Sequence, residues 1–290
     1  MTEIKKVVNR TGKKLVTKAL VVGAKTLRQA QGEVKVKEVE KVKEEADFAL
    51  KKSSVESKED KKYILTIGLK DLLDAGCHLG HKVSKTHPKA RKNIYMAKDG
   101  IQIVDLTRTM EALEKACNYI YNAQRNGKKI VLVGTKRQAR EVIKRVATDA
   151  GVAYVTSRWL GGTITNWEQI RKDIKKYWDL KNGLEQGKFT ENTKKELLVM
   201  KKETIRLEKI VGGIASLEKL FEVVFVVDAG FEKTAVKEAG MRNVKTVAMT
   251  DTDTDPRKVD FSIPANDDSV KSINIIVEEV GRAIKSAGVK

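Results

Sequence analysis

The sequence predicts an α/β fold in which helices cover both faces of a buried parallel sheet, with a helical hairpin inserted into it. Five short apolar runs rich in β-branched residues alternate with amphipathic segments, which is the pattern of a parallel sheet covered by helices. A polar stretch with helical periodicity interrupts this alternation over residues 166–211. At 290 residues, the chain is long enough to bury a substantial core.

An excess of positive charge is the first indication of function. The chain contains 58 Lys and Arg residues against 39 Asp and Glu, a formal net charge of +19. This balance favours a polyanionic partner, above all nucleic acid, over a charged surface that serves only solubility. Cys77 and Cys117 are too few and too far apart for a disulfide framework, which indicates a reducing, cytosolic setting. No apolar run approaches the roughly 18 residues of a membrane helix, and no cleavable signal sequence is apparent, so we expect no membrane partner.

Residues 1–62 are predicted to be an extension outside the folded domain, which then spans residues 63–290. Up to Gln31, eight basic residues stand against the single acid Glu3, whereas residues 33–60 contain nine acids and seven lysines. This composition favours disorder, or order acquired on binding, for example as a helix that folds on RNA. An organellar transit peptide would usually be richer in arginine and serine.

A basic loop and a β-hairpin are predicted at the start of the domain. Residues 98–100 (Lys-Asp-Gly) separate apolar runs at 94–96 and 101–104, so we expect a hairpin with Gly100 in its turn. The loop before it is rich in cations, namely Lys82, Lys85, Lys89, Arg91 and Lys92.

The first long helix is predicted to begin at Thr107, as its N-cap, and to end at Gly127. Its apolar residues recur at spacings of 3, 4 and 3, which places Cys117 on the buried face as a core thiol rather than a nucleophile. Strands are then predicted at residues 130–133, 153–156, 223–227, 246–249 and 259–263, with helices at residues 139–150, 234–239 and 273–284.

The insertion at residues 166–211 is predicted to be an antiparallel coiled-coil hairpin. Its second arm has apolar or small residues at spacings of 3, 4, 3 and 4 from Leu197 to Val211, its first arm repeats from Ile170 to Leu184, and residues 182–187 supply a glycine-bearing turn. Arms of this length would reach about 25 to 30 Å. This shape suits contact with a neighbouring molecule.

The loop at residues 157–167 offers a cation and an aromatic face together, in Arg158 and Trp159. Gly161 and Gly162 allow the backbone to turn there and to approach a neighbour closely. Trp159 is therefore a candidate for RNA contact, with burial in the core as the alternative.

Residues 134–137 (Gly-Thr-Lys-Arg) follow a strand and open a helix, so Lys136 and Arg137 are candidates for phosphate contact beside backbone N–H groups. Ordinary solvent-facing charge is the alternative, because the phosphate-loop and dinucleotide-binding glycine patterns are missing. We expect recognition of RNA by shape and backbone contacts. The candidate RNA-binding residues are Lys82, Lys85, Lys89, Arg91, Lys92, Arg108, Lys136, Arg137, Arg158 and Trp159.

Two other kinds of site are alternatives. Asp228, Asp251 and Asp253 follow predicted strands and could serve a magnesium-dependent nucleotide-binding or phosphoryl-transfer enzyme, but no general base or nucleophile accompanies them, and turn formation is the simpler explanation. Cys77, His78 and His81 form a Cys-His-x-x-His pattern, yet a convincing zinc site needs a second ligand pair. We therefore predict neither catalysis nor a metal or other cofactor.

Several short motifs occur in a characteristic order, which is more specific than any one of them. They are residues 75–81 (AGCHLGH), 88–89 (PK), 133–137 (VGTKR), 158–163 (RWLGGT), 165–167 (TNW), 193–196 (TKKE), 251–253 (DTD) and 263–268 (IPANDD). Together they resemble the bacterial-type small-subunit ribosomal protein S2 family over residues 67–287. The family usually has Asn at the position of Asp253, and often Gly-Ile-Pro near residues 240–244. The extension has no counterpart in the usual pattern.

This resemblance implies a flavodoxin-like sheet domain with a coiled-coil insertion. It implies binding to small-subunit rRNA between the head and the body on the solvent side, contact with neighbouring small-subunit proteins, and no catalysis. In many bacteria it also implies docking of ribosomal protein S1. The expected location is the small ribosomal subunit in the cytoplasm.

Overall fold

A computed structural model describes residues 62–189 and 192–288 of the chain. The predicted extension therefore lies outside the described residues, except for Lys62, and the domain boundary stays a prediction. The helices are α1 (Leu69–Asp74), α2 (Leu106–Arg125), α3 (Arg140–Ala150), α4 (Trp167–Glu185), α5 (Lys194–Val211), α6 (Lys233–Met241) and α7 (Val270–Gly288). The strands are β1 (Leu79–Lys82), β2 (Ile94–Lys98), β3 (Ile101–Val104), β4 (Ile130–Val133), β5 (Ala153–Val155), β6 (Val223–Val226), β7 (Lys245–Thr250) and β8 (Phe261–Pro264).

The larger sheet has the strand order β5-β4-β6-β7-β8, and every neighbouring pair is parallel. Counted along the chain this order is 2-1-3-4-5, which is the order of flavodoxin-like doubly wound sheets. Every residue of the central strands β4 and β6 is buried, as expected for strands covered on both faces.

Two apolar cores lie on opposite faces of this sheet. Ile130 and Leu132 of β4 face the core formed with α2, α3 and α7. Val131 and Val133 face the core formed with α4 and α6. Because successive side chains of a strand point to opposite faces, this division confirms the predicted parallel sheet flanked by helices. Cys117 is fully buried in the first core, as expected.

A smaller antiparallel sheet has the order β1-β3-β2. It contains the predicted hairpin, whose turn holds both Asp99 (φ 52°) and Gly100 (φ 76°) in the left-handed region. The sequence does not predict strand β1, of which only Lys82 belongs to the predicted basic loop. The N-cap of α2 was also placed wrongly: Asp105 Oδ1 accepts a hydrogen bond from Thr107 N at 3.0 Å, so Asp105 caps the helix.

The start of the described domain is fixed by one buried carboxylate on α7. Glu279 is completely buried and accepts hydrogen bonds from Tyr63 Oη at 3.0 Å and from Thr66 N at 2.8 Å. Arg282 Nη1 lies 2.8 Å from its other oxygen. The segment before α1 is thereby attached to the last helix of the chain.

The insertion consists of α4 and α5, and Lys176 Nζ lies 3.0 Å from Glu203 Oε1 between them. The predicted turn was placed too early, because α4 continues to Glu185. Thr193 and Glu196 then form a reciprocal capping box at the start of α5. The buried side chains of α4 belong to the second core of the domain, so this half of the insertion packs against the sheet. A coiled-coil geometry for the hairpin stays a prediction.

No helix among the described residues is both long enough and apolar enough to span a membrane.

Candidate nucleic-acid interface

The carboxyl ends of all five parallel strands lie at one edge of the larger sheet, which we call the carboxyl edge. Adjacent strands are about 4.8 Å apart, so this edge is about 19 Å wide. The connections that follow β4 and β6 leave in opposite directions along the sheet, and doubly wound proteins bind ligands at this switch point. The loops after β4, β6 and β8 meet there.

The side chain of Lys136 occupies the switch point. Its Nζ lies 3.1 Å from Asp228 Oδ2, 2.8 Å from Asp267 Oδ1 and 2.6 Å from Asp268 Oδ1, and its side chain is only 16% exposed. Burial lowers the pKa of Lys136, but hydrogen bonds to Asp267 and Asp268 outweigh this effect and raise the pKa above its usual value. The sequence predicted a phosphate contact for this ammonium. The structure places it in an ion network with three carboxylates, of which Asp228 and Asp267 are largely buried and Asp268 is exposed.

One ammonium cannot neutralise three carboxylates. Burial raises the pKa of Asp267 to about 8, and the nearby charge of Asp228 adds to the effect, while Lys136 opposes it. The network therefore retains a proton on a carboxyl group at pH values where an exposed aspartate would have lost it.

The loop after β7 holds the small sheet and the cation-rich residues 82–92 against the carboxyl edge. Thr252 Oγ1 accepts a hydrogen bond from His81 N at 2.9 Å, and Thr252 O accepts one from His87 N at 2.8 Å. His81 Nδ1 lies 3.0 Å from Asp251 Oδ2. Gly80 is required here, because a Cβ would lie 2.6 Å from Thr252 Cγ2. The sequence predicts turn formers, possible metal ligands and a family motif at this aspartate and threonine, but not their contacts with the small sheet.

The basic segment, residues 82–92, runs through two short 3₁₀ turns at Val83–Lys85 and Pro88–Asn93. Arg108 braces its end, because the guanidinium donates to the carbonyl of Lys92 and lies 3.4 Å from Asp105 Oδ2. The five cations of this segment are all exposed, and none forms an ion pair with a residue in 62–189 or 192–288; they are Lys82, Lys85, Lys89, Arg91 and Lys92.

Two further predicted cations follow strands of the larger sheet at the same edge. Arg137 follows β4 and Arg158 follows β5, and both are exposed. Among the described residues, neither has an acidic partner within ion-pair distance. The carboxyl edge therefore presents cations at the β5 end and, through the basic segment, near the loop after β7.

A single carboxylate shapes the loop at residues 157–167. Glu238 of α6 is buried and accepts hydrogen bonds from Gly162 N at 2.9 Å, Ile164 N at 3.0 Å, Thr165 N at 3.2 Å and Trp159 Nε1 at 3.2 Å. Burial raises the pKa of Glu238, but these donors outweigh it and hold the pKa below its usual value. Nothing in the sequence marked this glutamate, because a single acid in a short helix looks like solvent-facing charge.

Trp159 belongs to the core, the second of the two alternatives weighed from the sequence. It is 6% exposed and packs edge-on against Phe221 at a centroid distance of 6.5 Å. Its ring is therefore not available for stacking on RNA, whereas the neighbouring Arg158 remains exposed.

The three aspartates of the alternative enzyme site are not gathered around one point. Asp228 Oδ2 lies against Lys136, Asp251 Oδ2 lies against His81, and the exposed Asp253 accepts a hydrogen bond from Thr254 Oγ1 at 2.9 Å. Across residues 62–189 and 192–288, no group of three or more His, Cys, Asp or Glu side chains is arranged to hold a metal ion.

A zinc site of the Cys-His-x-x-His kind would need the side chains of Cys77 and His81 to bind the same ion. In the structure the two side chains face different surroundings. Cys77 is buried in the first core, where burial raises the pKa of its thiol, whereas His81 faces Asp251 outside that core.

A comparison with protein families decides the assignment. The model of the family described as Ribosomal protein S2 matches residues 72–287. The chain belongs to this family. Membership in the ribosomal protein S2 family makes the chain a structural component of the small ribosomal subunit with a role in translation, in a family that is not enzymatic. The matched residues include every element from α2 to the last strand, and the residues at the carboxyl edge.

Glu238→Gln should destabilise the domain by about 1 to 3 kcal/mol, because the amide has only one acceptor oxygen and leaves buried N–H donors unpaired. Urea unfolding of the full chain measures this, and amide hydrogen exchange should show faster exchange at Gly162 and Ile164. Glu218→Gln, at an exposed position without an ion pair among the described residues, is the control. Equal stability of the two variants would contradict the role assigned to Glu238.

Asp267→Asn should change how stability depends on pH. The unfolded chain loses the Asp267 proton near pH 4, whereas the folded chain keeps it to about pH 8. The folded state therefore binds more protons in this window, and wild-type stability should fall relative to the variant as pH rises, by at most about 1.4 kcal/mol per pH unit. Urea unfolding at pH 5.5, 6.5 and 7.5 gives the difference.

Asp255→Asn is the control for that experiment. The Arg257 guanidinium holds the pKa of Asp255 below its usual range, so this carboxyl is ionised in both folded and unfolded chains above pH 5. Its difference from wild type should be constant across the window. A constant difference for Asp267→Asn as well would show that Asp267 does not carry the extra proton.

Proposed function

We propose that the chain binds small-subunit rRNA through the carboxyl edge of its larger sheet and the attached basic segment. The observation that carries this proposal is the contrast between two sets of cations. Lys136 is neutralised by three carboxylates, whereas the cations of the basic segment are exposed and have no ion-pair partner among the described residues. Unpaired lysines and arginines on a fixed segment are suited to phosphate contacts.

The proposed contacts read the shape and the backbone of the RNA rather than its sequence. Ammonium and guanidinium groups bind phosphate oxygens irrespective of the base, and the segment is positioned by His87 N bonded to Thr252 O. Arg137 and Arg158 extend the interface along the sheet edge. Lys136 and Trp159 act in this proposal as internal supports, since one is paired and the other is buried.

The inserted hairpin is proposed to contact a neighbouring small-subunit protein. Leu198, Val199 and Ile205 of α5 are 54%, 58% and 53% exposed, so this helix offers apolar side chains that a partner could cover. Ribosomal protein S1 is the candidate that the family resemblance names. Location in the cytoplasm follows in this proposal from assembly into the small ribosomal subunit.

The triple variant Lys85→Ala, Lys89→Ala and Arg91→Ala should bind small-subunit rRNA more weakly and with a smaller salt dependence. Each lost phosphate contact lowers the slope of log K against log salt by about one unit, so the slope should fall by about two to three units. Affinity of the full chain is measured between 50 and 200 mM salt, conditions under which a polyelectrolyte contact changes steeply.

The matched control for this variant is Arg125→Ala, Lys128→Ala and Lys129→Ala. It removes the same numbers of arginine and lysine from exposed positions at the opposite, amino edge of the sheet. Its slope should stay near that of wild type. If the two triple variants lost slope equally, the binding would reflect net charge alone and not an interface at the carboxyl edge.

Serine substitutions at Leu198, Val199 and Ile205 should leave the salt slope unchanged while weakening retention of a neighbouring protein in isolated small subunits. The physical reason is that the substitutions remove apolar contact area and no charge. Quantitative protein composition of subunits purified through a gradient measures the loss. Serine substitutions at Leu69 and Leu73, which are exposed on α1, are the control. An unchanged protein composition of subunits that carry the α5 variant would exclude the hairpin as a docking surface.

A further inference from the structure

A cleft at the carboxyl edge adjoins the basic segment and is not accounted for by the phosphate contacts proposed above. It lies between the turn after β6 and the loop after β7 and has a volume of about 360 Å³. Its lining includes His87, Phe231, Lys233, Asp253 and Lys258. We propose that this cleft takes one unpaired nucleobase of the bound RNA, stacked on Phe231. This inference rests on the proposed function and deepens it.

The ring of Phe231 is displayed to solvent on a rigid turn. Its side chain is 63% exposed, although its backbone N donates to Asp228 Oδ1 at 2.8 Å. The next residue, Glu232, donates from its N to Asp228 O at 3.0 Å, and its carboxylate accepts a hydrogen bond from Thr135 Oγ1. Gly230 approaches Thr254 so closely that no side chain would fit between them.

This anchoring has an energetic consequence for binding. Asp228 is itself held by Lys136, so the turn that carries Phe231 is attached to the ion network at the switch point. A turn whose backbone is already fixed loses little conformational freedom when a ligand binds to the side chain that it carries. A stacking platform of this kind is how proteins capture splayed bases of RNA, and each stacked base contributes substantially to affinity.

The charges around the cleft favour a base over a phosphate in its interior. Asp228 and Asp253 line the cleft and would repel a phosphate, whereas a base is uncharged and carries N–H donors that carboxylates accept. Lys233 and Lys258 are exposed at the same cleft, and neither forms an ion pair with a described residue. They are suited to the phosphates on either side of the base.

The position of the cleft connects it to the proposed interface. His87, which lines the cleft, belongs to the basic segment, and its N is bonded to Thr252 O. An RNA strand that follows the cations of that segment therefore passes the cleft. Stacking on Phe231 would add affinity that does not depend on salt, since no ion is released.

The test compares Phe231→Leu with Phe231→Tyr in the full chain, measuring affinity for small-subunit rRNA as a function of salt. Leucine keeps an apolar side chain but has no aromatic face, so it should weaken binding by about 5- to 150-fold with an unchanged salt slope. Tyrosine keeps the aromatic face and should therefore bind within about twofold of wild type. Met241→Ala, which removes an exposed apolar side chain at the far end of α6, is the control and should bind like wild type.

A second measurement does not depend on any variant. Ultraviolet crosslinking of the wild-type complex, followed by mass spectrometry, should attach a nucleotide to the peptide that contains Phe231. If wild type binds rRNA but Phe231→Leu binds equally well and no crosslink forms there, this inference fails and the proposed function stands. If Phe231→Leu keeps its RNA affinity and loses a protein from the subunit, the cleft holds a protein side chain and the inference is overturned. Absence of rRNA binding by wild type would overturn both.

Discussion

The ion network of Lys136 is the constraint on which the carboxyl edge depends. One ammonium joins the loop after β4 to Asp228 after β6 and to Asp267 and Asp268 after β8, and His81 Nε2 lies 3.6 Å from Asp268. Buried ion pairs of this kind add little net stability, because desolvation of the charges offsets their attraction. Their effect here is geometric, since one ammonium holds the loops after β4, β6 and β8 together. The turn that presents Phe231 and the strand that leads into the basic segment both contact this network.

The same network separates this chain from doubly wound proteins that bind small ligands. In such folds the switch point is an open crevice, and helix N-termini and cations there bind the ligand. Here Lys136 and its carboxylates fill that position. The exposed cations of the basic segment, together with Arg137 and Arg158, have no ion-pair partner among the described residues and take no part in this network. A fold often used for nucleotides thus offers a broad surface, which agrees with a structural role in the ribosomal small subunit.

Buried carboxylates account for most of what sequence reasoning missed. Glu238 organises the loop at residues 157–167, Glu279 holds the start of the domain, and Asp251 faces His81 beside the basic segment. Glu238 and Glu279 are single acids in a chain that has many, and no local pattern distinguishes an acid that accepts backbone N–H groups from one in water. Trp159 and Lys136 show the opposite error. Their residue types suggest RNA contact, but Trp159 is buried in the core and Lys136 is paired with carboxylates.

The sequence by itself determined the parallel sheet, the helices on both its faces, the hairpin at Gly100 and the family, because apolar periodicity, turn residues and ordered motifs are local properties of the chain. The sequence does not predict strand β1, since Leu79–Lys82 has too few apolar residues to indicate a strand. Tertiary structure alone decided which charges are exposed and which are paired. That outcome depends on the order of strands in the sheet, which brings Asp228 and Asp267 within 3.1 and 2.8 Å of Lys136 Nζ. Distances across the sheet are set by packing, and no spacing along the chain encodes them.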